Sequence, residues 1–75
     1  MDSKAVFSTN IRILLAKQGM TGTDLAKVMG VESGTVYAWM KGRSLPKPDK
    51  INQIAAYFHV SVGTLFSETI EFKIS

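Results

Sequence analysis

The stretch TGTDLAKVMGVESGTVYAWMKG, residues 21–42, decides how this chain folds. Thr21 and Asp24 have the spacing of a capping box, with Asp in place of the usual Glu or Gln. The Thr21 hydroxyl is placed to accept from the Asp24 amide, and the Asp24 carboxylate suits the positive end of a helix. Met20, just before Thr21, can staple against Leu25. Leu25, Ala26, Val28 and Met29 then supply the inward side of a helix of about two turns, which ends at Gly30, where a left-handed conformation is inexpensive. After Val31 and Glu32, the apolar residues Val36, Trp39 and Met40 recur at i, i+3 and i+4. Another helix is therefore expected from about Ser33 to Lys41, stopping at Gly42. Glu32 is its expected N-cap, an uncommon residue there but one whose charge favours the helix end.

The same periodicity continues on both sides. Upstream, Phe7, Ile11, Leu14 and Leu15 predict a first helix from about Lys4 to Gln18, with Arg12 and Lys17 off the stripe and Gly19 at the stop. Downstream, Arg43-Ser44-Leu45-Pro46-Lys47-Pro48 holds both prolines of the chain and reads as a loop. Pro48-Asp49 opens a fourth helix with Ile51, Ile54, Ala55 and Phe58 on one face. His59 and Val60 connect it to Ser61, an N-cap for a short fifth helix containing Val62, Leu65 and Phe66. The last segment changes period: Thr69-Ile70-Glu71-Phe72-Lys73-Ile74 alternates polar and apolar, the pattern of a strand with Ile70, Phe72 and Ile74 on one face. Nothing else in the chain reads as a partner for it, so the simplest partner is the same strand of a second copy. The expected architecture is all-α, with five helices over residues 1–67 and a short C-terminal β-strand over 68–75 paired across a dimer.

Composition narrows the function. Seventy-five residues fit one domain near the lower limit at which a hydrophobic core holds itself together, so an oligomer contact is a natural supplement. The chain has no cysteine and one histidine, which leaves no disulfide and almost no material for a zinc site or a His-dependent triad. Paired catalytic carboxylates, a Gly-rich phosphate loop and a nucleophile with an obvious base are all missing. No enzymatic activity, catalytic residue, metal ligand or cofactor is therefore expected. The N-terminus lacks a basic run followed by an apolar one, and no apolar stretch is long enough to cross a bilayer. The expectation is a cytoplasmic, nucleoid-associated protein with no membrane contact and no evident small-molecule ligand. The formal net charge is +3, yet residues 1–66 alone carry eight basic and four acidic side chains. Lys41, Arg43, Lys47 and Lys50 face only Asp49 in their stretch, and such a surface fits a polyanion.

Two helices joined by a three- or four-residue turn containing Gly form a helix-turn-helix signature. Residues 21–41 fit it, with small Ala26 where the helices must cross closely and Val36 where the second helix locks onto the first. The wider pattern is Thr21-x-x-Asp24-Leu25-Ala26-x-x-x-Gly30-Val31, then Thr35-Val36-x-x-Trp39-x-x-Gly42-x-x-x-Pro46, then Ile54-Ala55 and Val60-Ser61-x-x-x-Leu65. Over about residues 7–66 it resembles the lambda-repressor-like family of phage repressors, Cro-type proteins and Xre-type bacterial regulators. The resemblance implies a five-helix domain whose third helix enters the major groove of double-stranded DNA while its partner helix crosses the phosphate backbone.

Carried over position by position, the resemblance implies Ser33, Gly34, Tyr37 and Ala38 as base-facing residues. Ser33 would exchange hydrogen bonds with base edges, Ala38 would meet a thymine methyl, and Tyr37 suits either task. Phosphate contacts are expected first from Lys41, Arg43, Ser44 and Lys47, then from Arg12 and Thr35. Thr21 and the Gly22 backbone amide join them at the start of the second helix. Trp39 reads chiefly as a packing anchor whose ring nitrogen can touch a phosphate. The chain departs from the family at Gly22, Glu32 and Met40, where relatives often carry Gln, Ser and Glu. With no long bidentate reader at Ser33 or Gly34, specificity is expected to lean on Tyr37, Arg43 and DNA shape.

The functional expectation is a homodimeric transcriptional regulator, most simply a phage-type repressor, on an operator whose half-sites lie one helical turn, about 34 Å, apart. The C-terminal strand would bury Ile70, Phe72 and Ile74 across the two-fold axis. The competing expectation is an interaction module, such as an antitoxin or antirepressor-like partner, whose strand augments a sheet edge in another protein.

Overall fold

Four of the five helices begin where a side chain or a proline makes up for a missing backbone partner. In the computed structural model, which describes residues 2–68, α1 runs Ser3–Gln18 and α2 Gly22–Met29. They are followed by α3 Ser33–Met40, α4 Pro48–Phe58 and α5 Val62–Leu65. The Asp2 carboxylate accepts from the Lys4 amide at 3.0 Å, and Ser61 Oγ from the Thr64 amide at 3.1 Å. Pro48 opens α4, where its missing N–H costs nothing. Glu32 does precede α3, but its side chain makes no capping hydrogen bond.

α1 to α4 are each followed by a residue in the left-handed conformation. After α3, Gly42 at φ 74° lets its own amide reach the Trp39 carbonyl at 3.1 Å while the Arg43 amide reaches Ala38 at 2.9 Å. This Schellman arrangement satisfies carbonyls that would otherwise be left over. His59 takes the same left-handed role after α4 at φ 58°, with the Val60 amide bonded to Ala55 at 3.0 Å. A side chain in that conformation is strained, so the turn is held by the contacts on either side of it.

Every helix sends at least one completely buried aliphatic residue to a common centre: Ile11, Leu25, Val36, Ile54 and Leu65. Phe7 joins them from α1 and stacks obliquely on Phe66, ring centroids 5.5 Å apart. α2 packs on α3, α1 on both α3 and α5, and α4 on α5 and α2. Val28 is a correction to the inward set, because it is 42% exposed. Leu25, Ala26 and Met29 define the buried face of α2, and the 3.6-residue turn rotates Val28 off it. The helix boundaries otherwise match the periodicity to within one residue: α1 starts at Ser3, and α3 ends at Met40 with Lys41 as its cap. The described residues contain no strand, and the expected pairing of Ile70, Phe72 and Ile74 lies outside them.

Two polar residues are buried with the core, Ser8 and Asn10. The Asn10 amide nitrogen donates to the carbonyls of Leu65 at 2.7 Å and Ser67 at 3.0 Å, with Thr64 at 3.4 Å. It thus closes the end of α5, a helix of four residues that cannot persist by itself. Asn10→Ala takes the buried donor away from the Leu65 carbonyl and is expected to cost about 1–3 kcal/mol, read from chemical denaturation midpoints at constant m. A loss below about 0.5 kcal/mol would mean that water replaces the clasp without penalty.

Candidate nucleic-acid interface

The site begins at the turn between α2 and α3. Gly30 at φ 70° reverses the chain, and the Val31 amide returns to the Ala26 carbonyl at 3.1 Å. Ala26 is 3% exposed, small enough for α3 to cross close by, and Val36 sits completely buried opposite. The other end of α3 is held by α1. Ser8 Oγ donates to the Met40 carbonyl at 2.8 Å, and the Gly42 turn lies against Lys4, Ala5 and Ser8. A helix of eight residues is therefore fixed at both ends and along one side.

The N-terminus of α2 carries the expected capping box. The Asp24 amide donates to Thr21 Oγ1 at 3.1 Å, and the Thr21 amide donates to Asp24 Oδ2 at 2.9 Å. The bond from the Thr21 amide, then the one from its hydroxyl, hold the Asp24 carboxyl below its ordinary pKa of 3.8, with Lys27 adding a smaller pull.

With its inner side committed, α3 turns Ser33, Gly34, Thr35 and Tyr37 to solvent and leaves Ala38 half-buried at the edge. A side chain at Gly34 would meet nothing within 4 Å, so this part of the surface is open. Thr35, Trp39, Ser44 and Lys47, four residues expected to meet phosphate, line one open groove of about 360 Å³ between α3 and the following loop. Trp39 is only 3% exposed, which makes packing its main role and leaves just an edge of the indole to that groove. Lys41 and Arg43 are exposed immediately beyond α3. Arg12, on α1, turns its Nε back to the Ser8 carbonyl at 3.3 Å. Thr21 is exposed.

Two placements differ from a reading of the sequence alone. Gly22, expected to offer its backbone amide to a phosphate, is buried, with the side chains of Tyr37 and Met40 over its α-carbon. Lys50, in sequence only one member of a basic run, lines the groove beside Lys47. Its Nζ also donates to the Met29 carbonyl at 3.4 Å, at the negative end of α2. The signal for Lys50 was its position one helical turn after Lys47, at the start of α4.

This geometry has counterparts among known proteins. A helix-turn-helix family signature matches residues 11–65. The chain belongs to the helix-turn-helix family, of the lambda-repressor-like type. Its structure is similar to the solution structure of the SOS-response transcriptional repressor LexA from Eubacterium rectale. The TM-score is 0.85 at 32% identity, covering 97% of this chain and 74% of that one. Its sequence is 28% identical over 64 residues to the cryptic phage CTXphi transcriptional repressor RstR of Vibrio cholerae. That match covers 85% of this helix-turn-helix chain, which spans 58% of the relative's length. The family is a DNA-binding one rather than an enzymatic one. Among the described residues no helix is long and apolar enough to cross a membrane, and no group of acidic or imidazole side chains could hold a metal ion.

Because the folded pKa of Asp24 lies below its unfolded value, its contribution is complete above about pH 3.8 and is lost as pH falls through the lower folded value. Asp24→Asn should therefore be less stable than the parent at neutral pH, and the two should converge as the solution is acidified below that range. Thr21→Ala should cost about 1 kcal/mol. Thermal melts from pH 7 to pH 2 check both, and a difference that widens on acidification would overturn the sign.

Proposed function

We propose that this chain is a phage-type transcriptional repressor that binds operator DNA as a homodimer, with α3 in the major groove. One observation carries the reading: α3 buries Val36 and Trp39 against α1 and α2 while Ser33, Gly34 and Tyr37 face outward beside a run of exposed cations. Base readout falls to Ser33, Gly34, Tyr37 and Ala38, and it is light, so the shape of the site adds to the discrimination. Phosphates are held by Lys41, Arg43, Ser44 and Lys47 after α3, joined by Lys50 in the groove. Arg12, Thr21, Thr35 and the edge of Trp39 supply further contacts. Ile70, Phe72 and Ile74 form the dimer contact in a segment separate from residues 1–67. The similarity to a phage repressor and to a LexA-type domain supports the assignment to transcriptional control.

Binding of this kind releases counterions, so log K should fall linearly with log salt, by about 0.9 per phosphate neutralised. Arg43→Glu/Lys47→Glu should flatten that slope by about two and weaken binding to operator and non-operator DNA. A gel-shift titration from low to moderate salt reads both, and salt-independent binding without preference for any DNA would remove the proposal. Phe72→Asp should shift the protein from dimer to monomer in sedimentation, and an unchanged dimer would take the strand out of the interface.

A further inference from the structure

Gly22 is the first residue of α2 and is buried. A Cβ built on it would lie 2.8 Å from Tyr37 Cζ, 3.0 Å from Tyr37 Cε1 and 2.8 Å from Met40 Sδ. The two separations of 2.8 Å are shorter than real side-chain carbons tolerate, so the hydroxyl-bearing end of the Tyr37 ring occupies the space that any other residue at position 22 would fill. All three atoms belong to side chains and none to the backbone. An added methyl would be accommodated by moving Tyr37 and Met40, not by breaking the packing of α2 on α3. Tyr37 remains 36% exposed on the outer side of α3, and its hydroxyl has no hydrogen-bond partner among the described residues. The ring is thus supported from below by α2 while its polar tip stays unspent.

We propose that Gly22 is the positioning residue for DNA readout by Tyr37: the bare α-carbon is a seat that fixes the direction in which the Tyr37 hydroxyl meets the edge of a base pair. The inference deepens the repressor assignment and rests on it. It makes the choice of base at one operator position depend on a residue of α2 that touches no base. An aromatic side chain has few torsions to order, so a supported ring reads a base edge at small entropic cost, whereas a displaced ring must be ordered on binding.

The test is a selection of bound duplexes from random DNA, followed by titration of a panel of single-base operator variants. The panel is run on the parent, Gly22→Ala, Tyr37→Ala, Tyr37→Phe and the Gly22→Ala/Tyr37→Ala pair. Gly63→Ala, an exposed glycine on α5, is the control for a helical glycine substitution. Gly22→Ala and Tyr37→Ala should lose discrimination at the same operator position, by about five-fold or more. The pair should be no worse than Tyr37→Ala alone, because the seat has no value without the ring. In the free protein, NOEs should connect the Gly22 α-protons to the Tyr37 ring, persist in Tyr37→Phe and weaken in Gly22→Ala.

A Gly22→Ala protein with the parent's base preference, or losses that simply add in the pair, would overturn the positioning role while leaving the repressor reading intact. A parent that selects no sequence overturns both. If Gly22→Ala does not fold, the free-protein NOEs and the base preference of Tyr37→Phe decide: missing NOEs, or a Tyr37→Phe protein with undiminished discrimination, overturn the proposal.

Discussion

The burial of Val36 and Trp39 is what the outer surface of α3 depends on. A helix of eight residues is marginal in water on its own, since nucleation costs more than so few hydrogen bonds return. α3 is helical because one side of it is packed, and its open side therefore inherits its direction from that packing. α2 lies beneath, the Gly30 turn fixes the approach, and Ser8 holds the last carbonyl. On the repressor reading, a residue that meets DNA from this surface is aimed by contacts that never reach it. For that reason the fold matters to function here as a matter of angle as well as of stability.

The spine of this arrangement is α1. Ser8 and Asn10 lie two positions apart on it and reach in different directions, Ser8 to the end of α3 and Asn10 to the end of α5. Both are polar side chains spent on backbone carbonyls at helix ends, the groups that have no partner within their own helix. In a domain this small the apolar area available for burial is limited, so leaving such carbonyls unsatisfied would consume a large share of the net stability. Among the described residues no buried side-chain nitrogen or oxygen lacks a partner. The core and its polar clasps are therefore one construction.

How much of this was legible follows from what a linear pattern can encode. The capping box, the glycine stops, the proline loop and the apolar stripes are local, and they place the helices to within a residue. Ser8 and Asn10 escaped notice because their partners stand 32 and 54 to 57 residues away and are backbone carbonyls, which no residue type announces. His59 escaped because nothing about a histidine signals a left-handed turn; only the tertiary contacts impose it. Val28 was misplaced because a short apolar cluster does not reveal where the centre of the buried face lies. The base-facing residues of the proposed interface come from the family resemblance alone, and that comparison marks Gly22 as a departure from the Gln that relatives often carry. In three dimensions the same glycine is the space in which Tyr37 lies.

Small residues on α3 have a consequence of their own on the repressor reading. Ser33 and Gly34 add little height to the helix, so its backbone can come nearer the floor of the major groove than one carrying long side chains at those positions. Close approach strengthens the phosphate contacts on either flank, which are indifferent to sequence. It also puts more weight on whichever side chain does project. Tyr37 is the longest of the outward residues on α3, and it is held from below. Glu32 opposes the approach of phosphate, since it is exposed and its carboxylate makes no capping hydrogen bond. That repulsion rises steeply if the helix slides toward a sugar-phosphate rail and falls if it stays centred over the bases.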